Sequence, residues 1–174
     1  MKVSFWPEYD SQSVLLIYKG QLQDNVTLPA DVKIFIPKSS GVASTATVDS
    51  DGQFQYDHAW TTHKVTLGTE YDILTYETIY PNFQCELYYY PIGAEKQRNF
   101  HFTFKTAAAA KNLQIEIQKP LKAANFKITP PTTDTAISEG FTYYLYNFKN
   151  SEAGQEIRYN ISYSKDTYQT SIVG

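Results

Sequence analysis

Asp57, His58 and His63 in YDHAWTTHK are the residue types that hold a metal ion or relay a proton in hydrolysis. On a strand, two histidines five positions apart point to opposite faces, so a shared zinc ion requires this segment to be a loop. Glu8 and Asp10 in PEYD are carboxylates two positions apart on one strand face. That spacing can meet the ~5 Å that a retaining glycosidase needs between its carboxyl groups. A terminal strand offers no cleft for a sugar, however, and PEYD reads as structural. Asp49-Ser50-Asp51-Gly52 opens like a calcium loop. An EF-hand places its glycine at position 6 and a bidentate glutamate at position 12; here the glycine follows the second aspartate directly, as in a tight turn. Cys85 is the single cysteine, which excludes an intrachain disulfide. It alternates with Phe83, Leu87 and Tyr89 and reads as a small buried hydrophobe rather than a nucleophile. There is no Gly-x-Ser-x-Gly elbow, and the eight glycines stand singly, without a phosphate-cradling loop. The expectation is a chain that is not an enzyme, with no catalytic residues, no metal site and no cofactor.

Binding is the better-furnished alternative. NFQCELYYYP, residues 82–91, places Phe83, Cys85, Leu87 and Tyr89 on one strand face and Gln84, Glu86, Tyr88 and Tyr90 on the other. FTYYLYNF, residues 141–148, repeats the pattern, with Phe141, Tyr143 and Leu145 expected inside and Tyr144, Tyr146 and Phe148 expected outside. Tyr88, Tyr90, Tyr144 and Tyr146 are therefore the candidate ligand-binding residues. Rings on a nominally polar face either pair across strands and cover a junction, or form a platform for a sugar or peptide. The two cases differ in whether the rings are exposed together.

The elements that must position these residues are strands. Phe100, Phe102 and Phe104 alternate with polar neighbours, as do Leu113, Ile115 and Ile117, and Ile157, Tyr159, Ile161 and Tyr163. Val32, Ile34 and Ile36 do the same, whereas SVLLIYK, residues 13–19, is apolar on both faces and belongs at the centre of a sheet. The one helix candidate, TAAAAK at 106–111, is too short to stand alone and reads as a loop with at most a turn of helix. Asp51-Gly52 marks a hairpin. About twelve to fourteen strands follow from the alternation. An immunoglobulin-type sandwich uses about seven in ~100 residues. The expected fold is all-β, two tandem immunoglobulin-like antiparallel β-sandwiches. Pro81 interrupts an extended run, which places the domains at 1–80 and 81–174.

Fifteen basic residues against eighteen acidic ones give a net charge of −3. Lys119, Lys122 and Lys127 are too sparse to track phosphates, so nucleic acid is excluded as a partner. No run approaches the ~20 apolar residues of a membrane span, and MKVSFWPEYD lacks an apolar leader core. Either the chain acts in the cytosol or its targeting segments lie outside this sequence. Asn25-Val26-Thr27 and Asn160-Ile161-Ser162 match the glycosylation sequon, which has meaning only in a eukaryotic secretory context.

FWPEYDSQSVLLIYKGQL at 5–22, LPADVKIFIP at 28–37, LQIEIQKPLKAANFKITP, GFTYYLYNF and the closing ISYSK resemble a pattern in uncharacterised bacterial cell-envelope proteins. The resemblance spans most of the chain and rests on structural residues. It implies an extracytoplasmic β-sandwich module, tethered by a membrane helix beyond its C-terminus, and it carries no catalytic residue across. The function expected is a non-catalytic extracytoplasmic binding or spacer module, with an unknown protein or glycan as partner and membrane contact only through that tether. The alternative is a carbohydrate-binding module that uses the surface tyrosines.

Overall fold

The computed structural model describes residues 1–56 and 63–172. The fold is all-β, and the described residues contain fourteen strands and no helix. An eight-stranded sheet runs in the order β12-β13-β10-β1-β2-β8-β4-β5. Its strands are β1 (Lys2–Pro7), β2 (Val14–Gln21), β4 (Gly41–Val48), β5 (Phe54–Tyr56), β8 (Asn82–Tyr89), β10 (Ala110–Gln118), β12 (Thr135–Ser138) and β13 (Phe141–Ser151). Two three-stranded sheets accompany it: β3 (Ala30–Pro37), β7 (Tyr71–Thr78) and β6 (Lys64–Thr66), and β11 (Ala124–Thr129), β14 (Glu156–Ser164) and β9 (Gln97–Lys105).

Local chemistry sets the elements. Val14 to Tyr18 are all buried, and β2 lies in the middle of the wide sheet, where both faces of a strand are shielded. The Asp51-Gly52 turn joins β4 to β5, with Gly52 at φ 78°. There the Asp49 carboxylate accepts the N–H groups of Asp51 and Gln53, both at 2.9 Å, so its charge organises the turn. TAAAAK bridges β9 to β10 without helix, and its last two residues already belong to β10.

One face of the wide sheet carries the core. The row Tyr146–Ile115–Val3–Tyr18–Cys85–Thr45 crosses six strands in register and is buried throughout. Phe102 of β9 stacks 4.6 Å from Phe5, and Phe104 lies 6.4 Å from Tyr18. Tyr159 of β14 meets Tyr146 edge-on at 4.8 Å. Val32, Ile34, Ile36, Leu74 and Tyr76 from β3 and β7 join the same continuous cluster. The small sheets thus form a second layer on the inner face, which is the arrangement of a β-sandwich. Burial pushes the Cys85 thiol far above its ordinary pKa. The same burial leaves it without the thiolate that nucleophilic chemistry requires.

Three ladders cross the expected boundary at residues 80 and 81. β1 pairs in parallel with β10, and β8 is sandwiched between β2 and β4. On β2, Gly20 pairs with Phe83, whose ring lies across it. A Cβ at Gly20 would stand 2.1 Å from Phe83 Cζ. Gly20→Ala therefore has to displace a buried ring, and we expect a loss of about 1–3 kcal/mol, measured as a lower denaturant midpoint with an unchanged slope. A midpoint equal to that of the parent would show that the ring is not held there.

Candidate functional site

The outer face of the eight-stranded sheet carries the most concentrated polar and aromatic chemistry. Trp6, Leu15 and Tyr88 form one cross-strand row, and Gln118 pairs with Tyr143 beside it. The next row runs Leu145, Glu116, Ser4, Ile17, Glu86 and Ser44. Above these strands the rings meet: Trp6 lies 4.9 Å from Tyr9 and 6.3 Å from Tyr143, and Phe141 lies 5.9 Å from Tyr9 and 6.4 Å from Tyr143. Trp6, Tyr9, Tyr88 and Tyr143 are half-buried, so each keeps one surface toward solvent.

Polar side chains orient the rings. Trp6 Nε1 donates to Glu116 Oε1 at 3.2 Å, which also accepts from Ser4, while Lys2 holds Glu116 Oε2 at 2.8 Å. Gln118 Nε2 donates to the Tyr143 hydroxyl at 3.1 Å, and its Oε1 is buried without a partner. The Tyr88 hydroxyl donates to Asp10 Oδ2 at 2.6 Å. That bond, with burial and the charges of Asp10 and Glu86, holds Tyr88 up at about 12. Such a face offers flat apolar rings next to oxygen acceptors. Flat rings beside acceptors are the groups that make contact with a ligand.

The four tyrosines singled out from the sequence do not share a patch. Tyr88 lies on the outer face, and Tyr90 just past the end of β8 is 64% exposed. Tyr144 and Tyr146 turn inward, contrary to expectation. Tyr144 packs on Phe126 at 5.3 Å, and Tyr146 is only 8% exposed, its hydroxyl donating to the Pro130 carbonyl at 2.5 Å. Their register partners on β10 are Ile117 and Ile115, both fully buried, and these draw the two tyrosines to the core side. Tyr143, expected inside, is part of the outer ring cluster. Trp6, Tyr9 and Gln118 went unmarked in the sequence. The available signal was phase: Trp6 falls at the polar positions of β1 with Lys2 and Ser4, out of step with Val3 and Phe5.

Asp57 and His58 lie outside the described residues, and His63 is exposed ahead of β6. Among the described residues, no three His, Cys, Asp or Glu side chains gather closely enough to hold a metal ion. Glu8 and Asp10 do not share a strand face. β1 ends at Pro7, Glu8 takes a positive φ of 46°, and the two carboxylates diverge. Asp10 goes to Tyr88 on the outer face. Glu8 goes inside, where Oε1 meets Arg98 Nη2 at 3.3 Å and Lys165 Nζ at 3.6 Å, and Oε2 accepts from the Tyr163 hydroxyl at 2.7 Å. Lys165 Nζ also donates to the Gln169 carbonyl, and Ser171 N–H to the Glu8 carbonyl, so this cluster ties the C-terminal segment to the end of β1. Elsewhere, a cleft of about 820 Å³ opens between β3, the end of β2 and the β9–β10 connection. Its charged lining is mixed, with Asp24 and Asp31 against Lys33, Lys105 and Lys111.

No family model matches this sequence, and no curated protein matches it. A solved structure described as "a putative protease from Parabacteroides distasonis" superposes with a TM-score of 0.45 at 10% identity, over 95% of this chain. This chain spans 40% of that structure's chain. A likeness of that degree carries no inference about activity.

Proposed function

We propose that this chain is a non-catalytic binding module displayed outside the cytoplasm of a bacterium, with the outer face of its eight-stranded sheet as the contact surface. The observation that carries this reading is the half-buried cluster of Trp6, Tyr9 and Tyr143, held by Glu116 and Gln118, with Tyr88, bonded to Asp10, in the same cross-strand row as Trp6. Half-buried rings fixed by hydrogen bonds give contact area at small entropic cost. The resemblance to cell-envelope proteins supports the location. The strand arrangement supports a pair of fused immunoglobulin-like units. Eight strands in one layer and six in the other amount to two sets of seven, the strand count of two immunoglobulin-like sandwiches. The β1–β2 ladder welds the two into one wide sheet, so a rigid continuous face is presented rather than two jointed modules.

The reading is tested on immobilised glycan and peptide arrays with the parent chain and with Tyr143→Ala. The expected result is binding to one class of probe, weakened at least about tenfold by the substitution, equivalent to ~1.4 kcal/mol, while the melting temperature stays within a few degrees. Binding that survives the loss of Tyr143, or none on either array, rejects the face as the site.

A further inference from the structure

Resting on that reading, we infer that the outer face accepts a positively charged side chain: the ammonium or guanidinium group of a basic peptide segment. Three observations converge. First, the rings of Trp6, Tyr9 and Tyr143 cluster with centroids 4.9 and 6.3 Å from Trp6, and aromatic faces attract cations through their quadrupoles. Second, the same face carries three carboxylates, Glu116, Asp10 and Glu86, against two cations, Lys2 and Lys19, and of the carboxylates only Glu116 is ion-paired among the described residues. Lys2 is bonded to Glu116, whereas Asp10 and Glu86 have no cationic partner among the described residues. Asp10 is bonded to Tyr88 and Ser11, and Glu86 to Gln84, all neutral. Third, Gln118 is wholly buried, and its Oε1, an acceptor beside the Tyr143 hydroxyl, has no donor. A buried acceptor left alone is costly, and the N–H groups of an ammonium or guanidinium are the donors that suit it. Reaching it requires a shift of Tyr143, its partner through the amide nitrogen.

A neutral sugar uses the rings and can donate its hydroxyls to the carboxylates, but it brings no charge to offset theirs. A phosphate-bearing ligand meets Asp10, Glu86 and Glu116 as like charges. Electrostatic complementarity therefore separates the cationic ligand from both.

The test uses the full chain carrying Trp60→Phe, which leaves Trp6 as the single indole. Capped tripeptides Gly-Arg-Gly and Gly-Lys-Gly are titrated by Trp6 fluorescence, with Gly-Gln-Gly and a panel of free pyranoses as neutral probes. The expected result is a saturable change with the cationic peptides that is at least about tenfold tighter than with any neutral probe and weakens with added salt. The double variant Asp10→Asn with Glu86→Gln, which keeps hydrogen-bonding side chains at both positions, loses about tenfold for the cationic peptides. If a pyranose or Gly-Gln-Gly perturbs Trp6 as strongly as the cations do, or if the double variant binds them unchanged, the cationic assignment falls and the face remains a binding site. If no probe reaches Trp6, the face and the assignment fall together.

Discussion

Replacing Glu8 by alanine is expected to lower the unfolding free energy by about 3–5 kcal/mol, the usual cost of leaving a buried charge without its partner. Glu8 and Arg98 are each 1% exposed in the side chain, and Lys165 is fully buried. One carboxylate thus serves two cations, and Arg98 Nε and Nη1 already lack partners among the described residues. With the carboxylate gone, two positive groups face each other beneath the C-terminal segment, and Tyr163 loses its acceptor. Burial already pulls the Lys165 pKa below its ordinary value, while Glu8 raises it. In the variant only the lowering influences remain, so Lys165 gives up its proton at lower pH. Denaturant unfolding at neutral pH measures the loss. Glu8→Gln retains an acceptor for Tyr163 without the charge, and we expect it to be nearly as damaging. A loss below 1 kcal/mol in both variants would falsify the role of Glu8 as the charge that this end of the sandwich is built around.

The second large effect is alkaline unfolding. Tyr18, Tyr146, Tyr159 and Tyr163 lie in the core, and burial raises all four, Tyr146 to about 12 and the others further; Tyr163 is raised additionally by its bond to Glu8. Below the unfolded tyrosine pKa of ~10 both states keep the proton and stability is unaffected by pH. Above it the unfolded chain ionises while the folded core stays neutral, so the native state binds more protons and stability falls as pH rises. Each buried tyrosine removes up to ~1.4 kcal/mol per pH unit until its folded pKa is reached. Lys165 works in the opposite direction, since its folded pKa is depressed. Its contribution grows only up to the unfolded lysine pKa of ~10.4, and it is one group against four. Against a total stability of order 5–15 kcal/mol, we expect cooperative unfolding by about pH 12. Tyrosinate absorbance followed together with near-ultraviolet circular dichroism should show these rings ionising only as the fold is lost. Their titration near pH 10 within an intact fold would show that they are not sealed in the core.

Much of the architecture is legible in the residues themselves. Period-two alternation in VKIFI, FHFTF, LQIEI and IRYNISY marks strands because a pleated backbone sends successive side chains to opposite faces, and each of these became a strand with its alternating apolar residues inside, Phe35 alone among them lying on the other face. The doubly apolar VLLIY identified the central strand for the same reason. Alternation specifies two faces; it does not say which face is inner when both are aromatic. In FTYYLYNF that choice was made by pairing with β10, whose isoleucines pull Tyr144 and Tyr146 into the core and leave Tyr143 outside with Trp6. The candidate site was equally invisible in one dimension. It assembles Trp6, Tyr88, Gln118 and Tyr143 from four strands, and only the ladders of the wide sheet set them side by side.

Strand existence is a local property, settled by sterics and by the burial of every second side chain. Which strands become neighbours is a long-range property, settled by how an apolar surface from distant segments closes into one dry layer. The chain's own residues therefore determined that it would be layered sheets. Tertiary pairing alone decided that β1 would join β10, that Glu8 would turn inward to Arg98 while Asp10 turned outward to Tyr88, and that the rings would gather on one face.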